Sequence, residues 1–308
     1  VTHVYGSAPL GVMDPPAVLL AEPGLFAQRA RRLEQLAERV ESLGDFLSFM
    51  AQLAQAQHAV LEGHRPDWQP EPDAFTLALE HGMPPLGAQA LSQDVDYHSE
   101  LSALLDALEP HLGEAQRPLV EGLRDMSRRD IASLATEILS QGAGPDAQRG
   151  LMPLIAAALQ IAWLRLTQCL PAPPPRPASE ARAICPCCGS APVASVIHRD
   201  PQRSGVRYLQ CGLCGTQWYL ERAKCSVCDS TGQLNYLSLE DGSGQPLLPV
   251  QAEACGDCHT YLKIVPSELD ADAEPLADDL ASLALDLLLA EEDRYRRSGV
   301  NPLLIVEA

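Results

Sequence analysis

Eight of the ten cysteines fall into four C-x-x-C pairs, Cys185/Cys188, Cys211/Cys214, Cys225/Cys228 and Cys255/Cys258. Two thiolates three positions apart on a tight turn can chelate one ion, and two such turns facing each other complete a tetrahedral four-sulfur shell. The set therefore reads as two tetrathiolate metal sites. Such a shell suits zinc and a single iron alike, and when closed it leaves no open position for a substrate. The knuckles are separated by 22 residues in the first half of the set and by 26 in the second, with only 10 between Cys214 and Cys225. Ten residues suit a link between units better than a hairpin, so the first knuckle pairs with the second and the third with the fourth.

Gly189 and Gly215 directly follow two of the knuckles, where glycine permits the left-handed turn that closes the loop. Asp229 and His259 take those places in the second unit, and His259 is a neighbour of the site before it is a ligand. Cys187, inside the first knuckle, could replace a ligand or act as a reactive thiol near the metal, beside the plainer reading of an incidental thiol; Cys185 and Cys188 are preferred as ligands because their spacing and the following Gly189 match Cys211, Cys214 and Gly215. Cys169 lies in an apolar helical pattern and is expected to be a buried structural residue. Trp218, Tyr219 and Tyr261 follow the knuckles and read as the small apolar core of each ribbon.

The formal net charge of −19 is unevenly placed. Residues 1–181 carry 12 basic against 23 acidic groups, residues 182–265 carry 7 against 7, and residues 266–308 carry 3 against 11. A neutral cysteine region with acidic flanks lacks the basic footprint of a nucleic-acid binder. Two divalent ions in eight thiolates add about four more negative charges there. The first twenty residues hold no Lys or Arg and are broken by Pro9, Pro15 and Pro16, unlike a signal peptide. The most apolar stretch, residues 151–166, is interrupted by Pro153, Gln160 and Arg165 and is too short to cross a bilayer. A cytoplasmic protein without membrane insertion is expected, and in that reducing compartment cysteines serve as metal ligands rather than disulfides. No P-loop, dinucleotide fingerprint, H-E-x-x-H or nucleophile elbow occurs, so the chain does not read as an enzyme.

The elements that must hold the knuckles fall into an α+β arrangement. Phe26, Ala30, Leu33, Ala37 and Val40 recur at helical spacing, with Arg and Glu on the opposite face. Gly44 ends that helix. A second starts near Asp45 and carries Phe46, Phe49, Met50, Leu53, Ala56 and Val60, apolar on both sides as a central helix is. Further helices are expected at 75–81, 97–112, 118–139 and 148–170, with breaks at 83–87, 113 and 142–145. The run from Pro171 to Pro177 is a semi-rigid extended spacer. Beyond it the period shortens: Val193, Ser195 and Ile197, then Val206, Tyr208 and Gln210, alternate as strands around a turn at 199–205. Strands near 234–239 and 250–254 around a turn at 242–246 repeat the plan. From Pro275 a last helix aligns Leu276, Leu280, Leu283 and Leu287, with Asp278 and Asp279 early and Arg294, Arg296 and Arg297 late, matching the helix dipole.

The expected organisation is a helical domain over 1–170 with an irregular start, a Pro-rich linker over 171–183, and rubredoxin-like or zinc-ribbon β modules over 184–220 and 221–265. An acidic segment with a C-terminal helix completes it over 266–308.

The segments 207–218, 222–228 and 255–263, with the openings at 26–33 and the closing stretches 278–286 and 301–304, resemble the formate dehydrogenase accessory protein family (FdhE). The resemblance spans nearly the whole chain, and its C-x-x-C set is complete. It implies a non-enzymatic cytoplasmic maturation factor, chaperone-like, that acts on the catalytic subunit of respiratory formate dehydrogenase before export. It also implies rubredoxin-like iron at the eight paired cysteines, with zinc as the alternative. A different class of function, electron or thiol redox transfer to the client, stands beside it because iron changes oxidation state and zinc does not.

Overall fold

In the computed structural model of the chain, residues 15–304 are described except 67, 69, 72, 89–94, 141–145, 178–181, 200–204 and 242. The start before residue 15, the break at 142–145, the centre of the 199–205 turn and Gly242 lie outside the described residues.

The first half is helical after a two-residue strand, β1 (Val18–Leu19). Helix α1 (Leu25–Arg39) buries Phe26, Ala30 and Leu33 as its period predicts. It buries Arg29 and Arg32 as well, so its charged face is not a solvent face. Gly44 opens α2 (Gly44–Gly63) instead of closing α1, because a short 3-10 turn over Glu41–Leu43 joins the two. Helices α3 (Thr76–Glu80) and α4 (Tyr97–Leu108) follow, the latter capped by the Asp96 carboxylate, which accepts the Ser99 N–H at 3.3 Å. The single helix expected over 118–139 is divided into α5 (Arg117–Asp125) and α6 (Arg128–Leu139). Ser127 turns extended there and its hydroxyl accepts the Asp130 N–H, the geometry of a new helix start.

The central helix is α7 (Met152–Gln168), buried along almost its whole length, rather than α2. With the 3-10 turn before it, the run Gln148–Gln168 is 21 residues of mean hydropathy 1.4, long enough to cross a membrane, contrary to the length expectation. Packing decides its role: 78% of its apolar window is buried inside the protein, as in a core helix. Pro153 sits in its first turn, where a missing N–H costs nothing.

The linker residues 171–177 carry no helix or strand. Arg176 lies 4.8 Å over the Tyr219 ring, so the spacer is laid against the sheet it leads into.

The strands are β2 (Pro192–Ile197), β3 (Arg207–Cys211), β4 (Gln217–Tyr219), β5 (Leu234–Leu237), β6 (Gln251–Cys255), β7 (Thr260–Pro266) and β8 (Arg296–Arg297). Each unit gives three antiparallel strands in the same order, β4-β3-β2 and β7-β6-β5. The two units are then joined edge to edge: β2 pairs parallel with β7, Ser195 beside Ile264 and Ile197 beside Pro266. The result is one sheet in the order β1-β4-β3-β2-β7-β6-β5, with β8 also on β7. All residues of β2 and β3 are buried, Ser195 and Gln210 included, so alternation there marks pleat and not a solvent face.

The expected C-terminal helix is two, α8 (Pro275–Ala281) and α9 (Leu283–Glu291), broken at Ser282. Its hydroxyl turns back to the Asp278 carbonyl at 2.7 Å. The break rotates the leucine stripe: Leu276 and Leu280 are buried, Leu285 and Leu289 continue inward, and Leu287 is 56% exposed. Asp278 and Asp279 do not serve a solvent-facing dipole. Both are buried, Asp278 against Arg32 at 2.6 Å and Asp279 against Lys263 and Arg297 at 3.2 and 2.7 Å. With Glu274 against Arg29 at 3.1 Å, the Arg32–Asp278 pair ties α1 to the start of α8. Arg296 and Arg297 form β8 instead of a helix terminus.

Candidate metal centres

The knuckles share one local geometry. The residue after each second cysteine has positive φ: +76° at Gly189, +72° at Gly215, +64° at Asp229 and +54° at His259. In three of them its N–H donates to the carbonyl of the first cysteine, Gly189 to Cys185 at 2.8 Å, Asp229 to Cys225 at 3.2 Å and His259 to Cys255 at 3.0 Å. At 215 glycine has a second reason, because a Cβ would lie 2.6 Å from Leu25 Cδ2. That turn points both sulfurs of a knuckle to one side.

The sulfurs converge as sequential pairing predicts. Cys185, Cys188, Cys211 and Cys214 form one group and Cys225, Cys228, Cys255 and Cys258 the other, with ligand atoms inside each lying within 4.8 Å of one another. Across knuckles, Cys185–Cys214 and Cys188–Cys211 are 3.6 and 3.4 Å apart, and Cys225–Cys258 and Cys228–Cys255 are 3.6 and 3.7 Å apart. A tetrahedron with metal–sulfur bonds of about 2.3 Å has edges of about 3.8 Å. Both clusters fit one tetrahedral ion each.

Their surroundings differ. All four sulfur residues of the first cluster are buried, whereas in the second Cys228 is exposed and Cys258 half-buried. The first is gripped by the helical half. The Leu86 and Ala88 N–H groups donate to the carbonyls of Cys187 and Cys188 at 2.7 and 3.1 Å. The Gln160 amide, on α7, donates to the Gly212 carbonyl at 2.7 Å, and Trp163 Nε1 holds the Leu86 carbonyl at 3.0 Å.

Electrostatics explain why eight thiols in two tight groups call for cations. Burial pushes the Cys185 and Cys214 thiols well above their usual value. Burial also opposes ionisation of Cys188, yet hydrogen bonds from Cys185, Cys211 and Cys214 outweigh it and pull that thiol well down. In the second cluster burial pushes Cys225 up to about 12. Cys258 falls to about 7, because the Thr260 hydroxyl and its sulfur neighbours outweigh its modest burial. Each group thus favours a thiolate among thiols, and a divalent ion would displace the remaining protons.

Two residues escaped the sequence reading. The hydroxyls of Thr216 and Thr260 lie 3.3 and 3.1 Å from Cys214 Sγ and Cys258 Sγ, at the same place in both units. Aligning Cys214-Gly-Thr216 with Cys258-His-Thr260 was the available signal. Cys187 is buried at the first cluster and contributes a backbone carbonyl. His259 is exposed and faces the Tyr295 ring at 6.5 Å, away from a ligand role. Cys169 is exposed at the end of α7, contrary to expectation, because the helix emerges from the core there. Trp218 is fully buried with its Nε1 on the Arg182 carbonyl at 2.8 Å, and Tyr261 is buried too, as core positions. The apolar excess on α2 is spent on internal packing. A groove of about 700 Å³ with a mainly polar lining runs between α1, the first ribbon and the segment before α8, past Arg31, His198, Gln217 and Ser267.

Family models described as the FdhE N-terminal, central and C-terminal domains match residues 15–180, 184–222 and 223–304. A protein FdhE homolog of Cronobacter sakazakii is 38% identical over 290 residues, which cover 94% of this chain and 91% of that one. Protein FdhE of Escherichia coli is 37% identical over 295 residues, covering 95% and 92%. The crystal structure of the FdhE protein from Pseudomonas aeruginosa matches with a TM-score of 0.83 at 38% identity, over 95% of this chain and 100% of that one.

Proposed function

The chain belongs to the FdhE family, and from that premise and the two sulfur clusters we propose that it is a formate dehydrogenase accessory factor and not an enzyme. It binds the catalytic subunit of respiratory formate dehydrogenase in the cytoplasm and is needed for that subunit to mature. Cys185, Cys188, Cys211 and Cys214 hold one metal ion, and Cys225, Cys228, Cys255 and Cys258 hold a second. Iron is favoured, with zinc as the alternative.

The observation that carries the reading is the convergence of all eight paired cysteines into two closed four-sulfur groups within a chain that matches FdhE from residue 15 to 304. The chain's own residues supply shape and charge here: the knuckle turns aim the sulfurs, and the Thr216 and Thr260 hydroxyls stand beside them. The joined sheet carries both clusters. When bound, an ion of this kind would cross-link the two knuckles of its ribbon and, if iron, also offer a one-electron couple.

Co-purification with the catalytic subunit tests the proposal. Wild-type protein is expected to retain that subunit, and variants lacking the thiols of a cluster are expected to lose it. Failure of the wild type to retain it, or equal retention by folded variants with all four knuckles altered, sinks the proposal. The exposure of the second cluster favours one further reading, electron or thiol transfer to the client. Protein purified without oxygen that is colourless and holds only zinc rules out its iron-borne electron transfer.

A further inference from the structure

We propose that the second cluster is a thiol-exchange site, at which a partner's cysteine replaces Cys228 on the bound metal, while the first cluster is closed to exchange. This rests on the reading that both clusters hold metal. It goes beyond that reading by giving the two sites different chemistry.

The contrast is sharpest at the residue just before the second cysteine of each knuckle, which forms the lip of the site. In the first cluster these are Cys187 and Leu213, at 0% and 7% exposure. In the second they are Val227, at 46%, and Asp257, which is also exposed. The first lip is covered by backbone from residues 86–88 and by the Gln160 side chain. At the second, the half-buried Ser230 hydroxyl donates to the exposed Asp257 carboxylate, a link that ties the knuckles together and leaves Cys228 uncovered. Cys228 is thus the exposed corner of an otherwise anchored shell, since Cys225 and Cys255 are buried.

Thiolate replacement at such a corner is chemically balanced. The incoming thiol gives up its proton as its sulfur takes the corner, and Cys228 Sγ leaves and takes up a proton. The number of sulfurs on the metal is unchanged and no electron changes hands.

Full-length protein loaded with zinc and checked for two ions per chain provides the test. Zinc release to a chromophoric chelator is expected in two phases of one equivalent each, the faster by about tenfold or more because its thiolate is accessible. Glutathione, used as the thiol probe, should accelerate the fast phase alone. Brief alkylation of the wild type followed by peptide mass spectrometry should mark Cys228 before any cysteine of the first cluster. Release of both ions at one rate, or first labelling at Cys185, Cys188, Cys211 or Cys214, overturns the proposal. A chain that takes up no zinc or iron instead sinks the underlying metal reading, a failure distinguishable from the other two.

Discussion

Cys185, Cys188, Cys211 and Cys214 lie within the main hydrophobic core, in one continuous cluster with Leu86, Leu159 and Trp163 of the helical half. The second ribbon is divided: Leu248, Val250, Leu262 and Val265 join that core, whereas Ala252, Ala254 and Tyr261 pack with Leu285, Leu289 and Tyr295 in a small separate one, and its sulfurs belong to neither. A ribbon of about forty residues cannot bury enough apolar surface to stand alone. The first borrows a helical core, and the second borrows α9 and a buried ionic lattice. In that lattice Lys263 and Arg297 face Asp279 and Asp286, and Tyr261 donates to Asp286 at 2.8 Å. One local plan therefore yields two sites of different exposure.

The largest expected effect comes from breaking each cluster in turn. Cys188→Ser should cost at least about 5 kcal/mol, since thiolate metal sites can supply folding free energy of order 10. Cys228→Ser should leave the helical half and the first ribbon folded. Thermal melts followed by circular dichroism check this, and equal losses from both variants break the comparison.

Ion pairs come next. Arg32→Ala strands the buried Asp278 carboxylate and should cost about 3–5 kcal/mol in urea unfolding. Lys224→Ala removes a surface pair with Asp229 beside the second cluster and should cost less than about 1 kcal/mol.

Acid should loosen the packing of α8 and α9 on the sheet before it loosens the helical core. Burial alone would raise the Asp279 pKa, but Lys263 and Arg297 outweigh it and hold it below the usual 3.8. Its stabilisation is therefore fully present above that value and is lost as pH falls through the depressed one. The urea midpoint of Asp279→Asn should lie below wild type at neutral pH, and the two should approach each other at low pH.

The smallest effect concerns the knuckle turns. Gly189→Ala should cost about 1 kcal/mol at φ +76°, whereas Asp229→Gly at φ +64° should be neutral or stabilise by up to about 1 kcal/mol. Opposite signs in melting temperature would show that the second ribbon already carries strain that the first avoids.

Much of the site was legible because chelation is local. The C-x-x-C spacing and the residue after it carry the knuckle turn, and the 22-, 10- and 26-residue separations carry the pairing. The helical half was legible in outline, since α1 and α4 keep their periods, but its boundaries yielded to capping at Ser127 and to the 3-10 turn before Gly44. Less legible were residues whose partners are far away. Arg29 and Arg32 look like surface arginines until Glu274 and Asp278, about 245 positions on, bury them. The C-terminal leucines read as one stripe until Ser282 breaks it.

By itself the sequence determined four knuckles and the sequential grouping of their sulfurs, because each depends on atoms within a few bonds or one short hairpin. Only the tertiary structure decided that β2 joins β7, that Leu86, Ala88 and Gln160 cover the first cluster, and that Cys228 stays exposed. Exposure depends on which distant surfaces come to rest on a site, and no spacing along the chain encodes that.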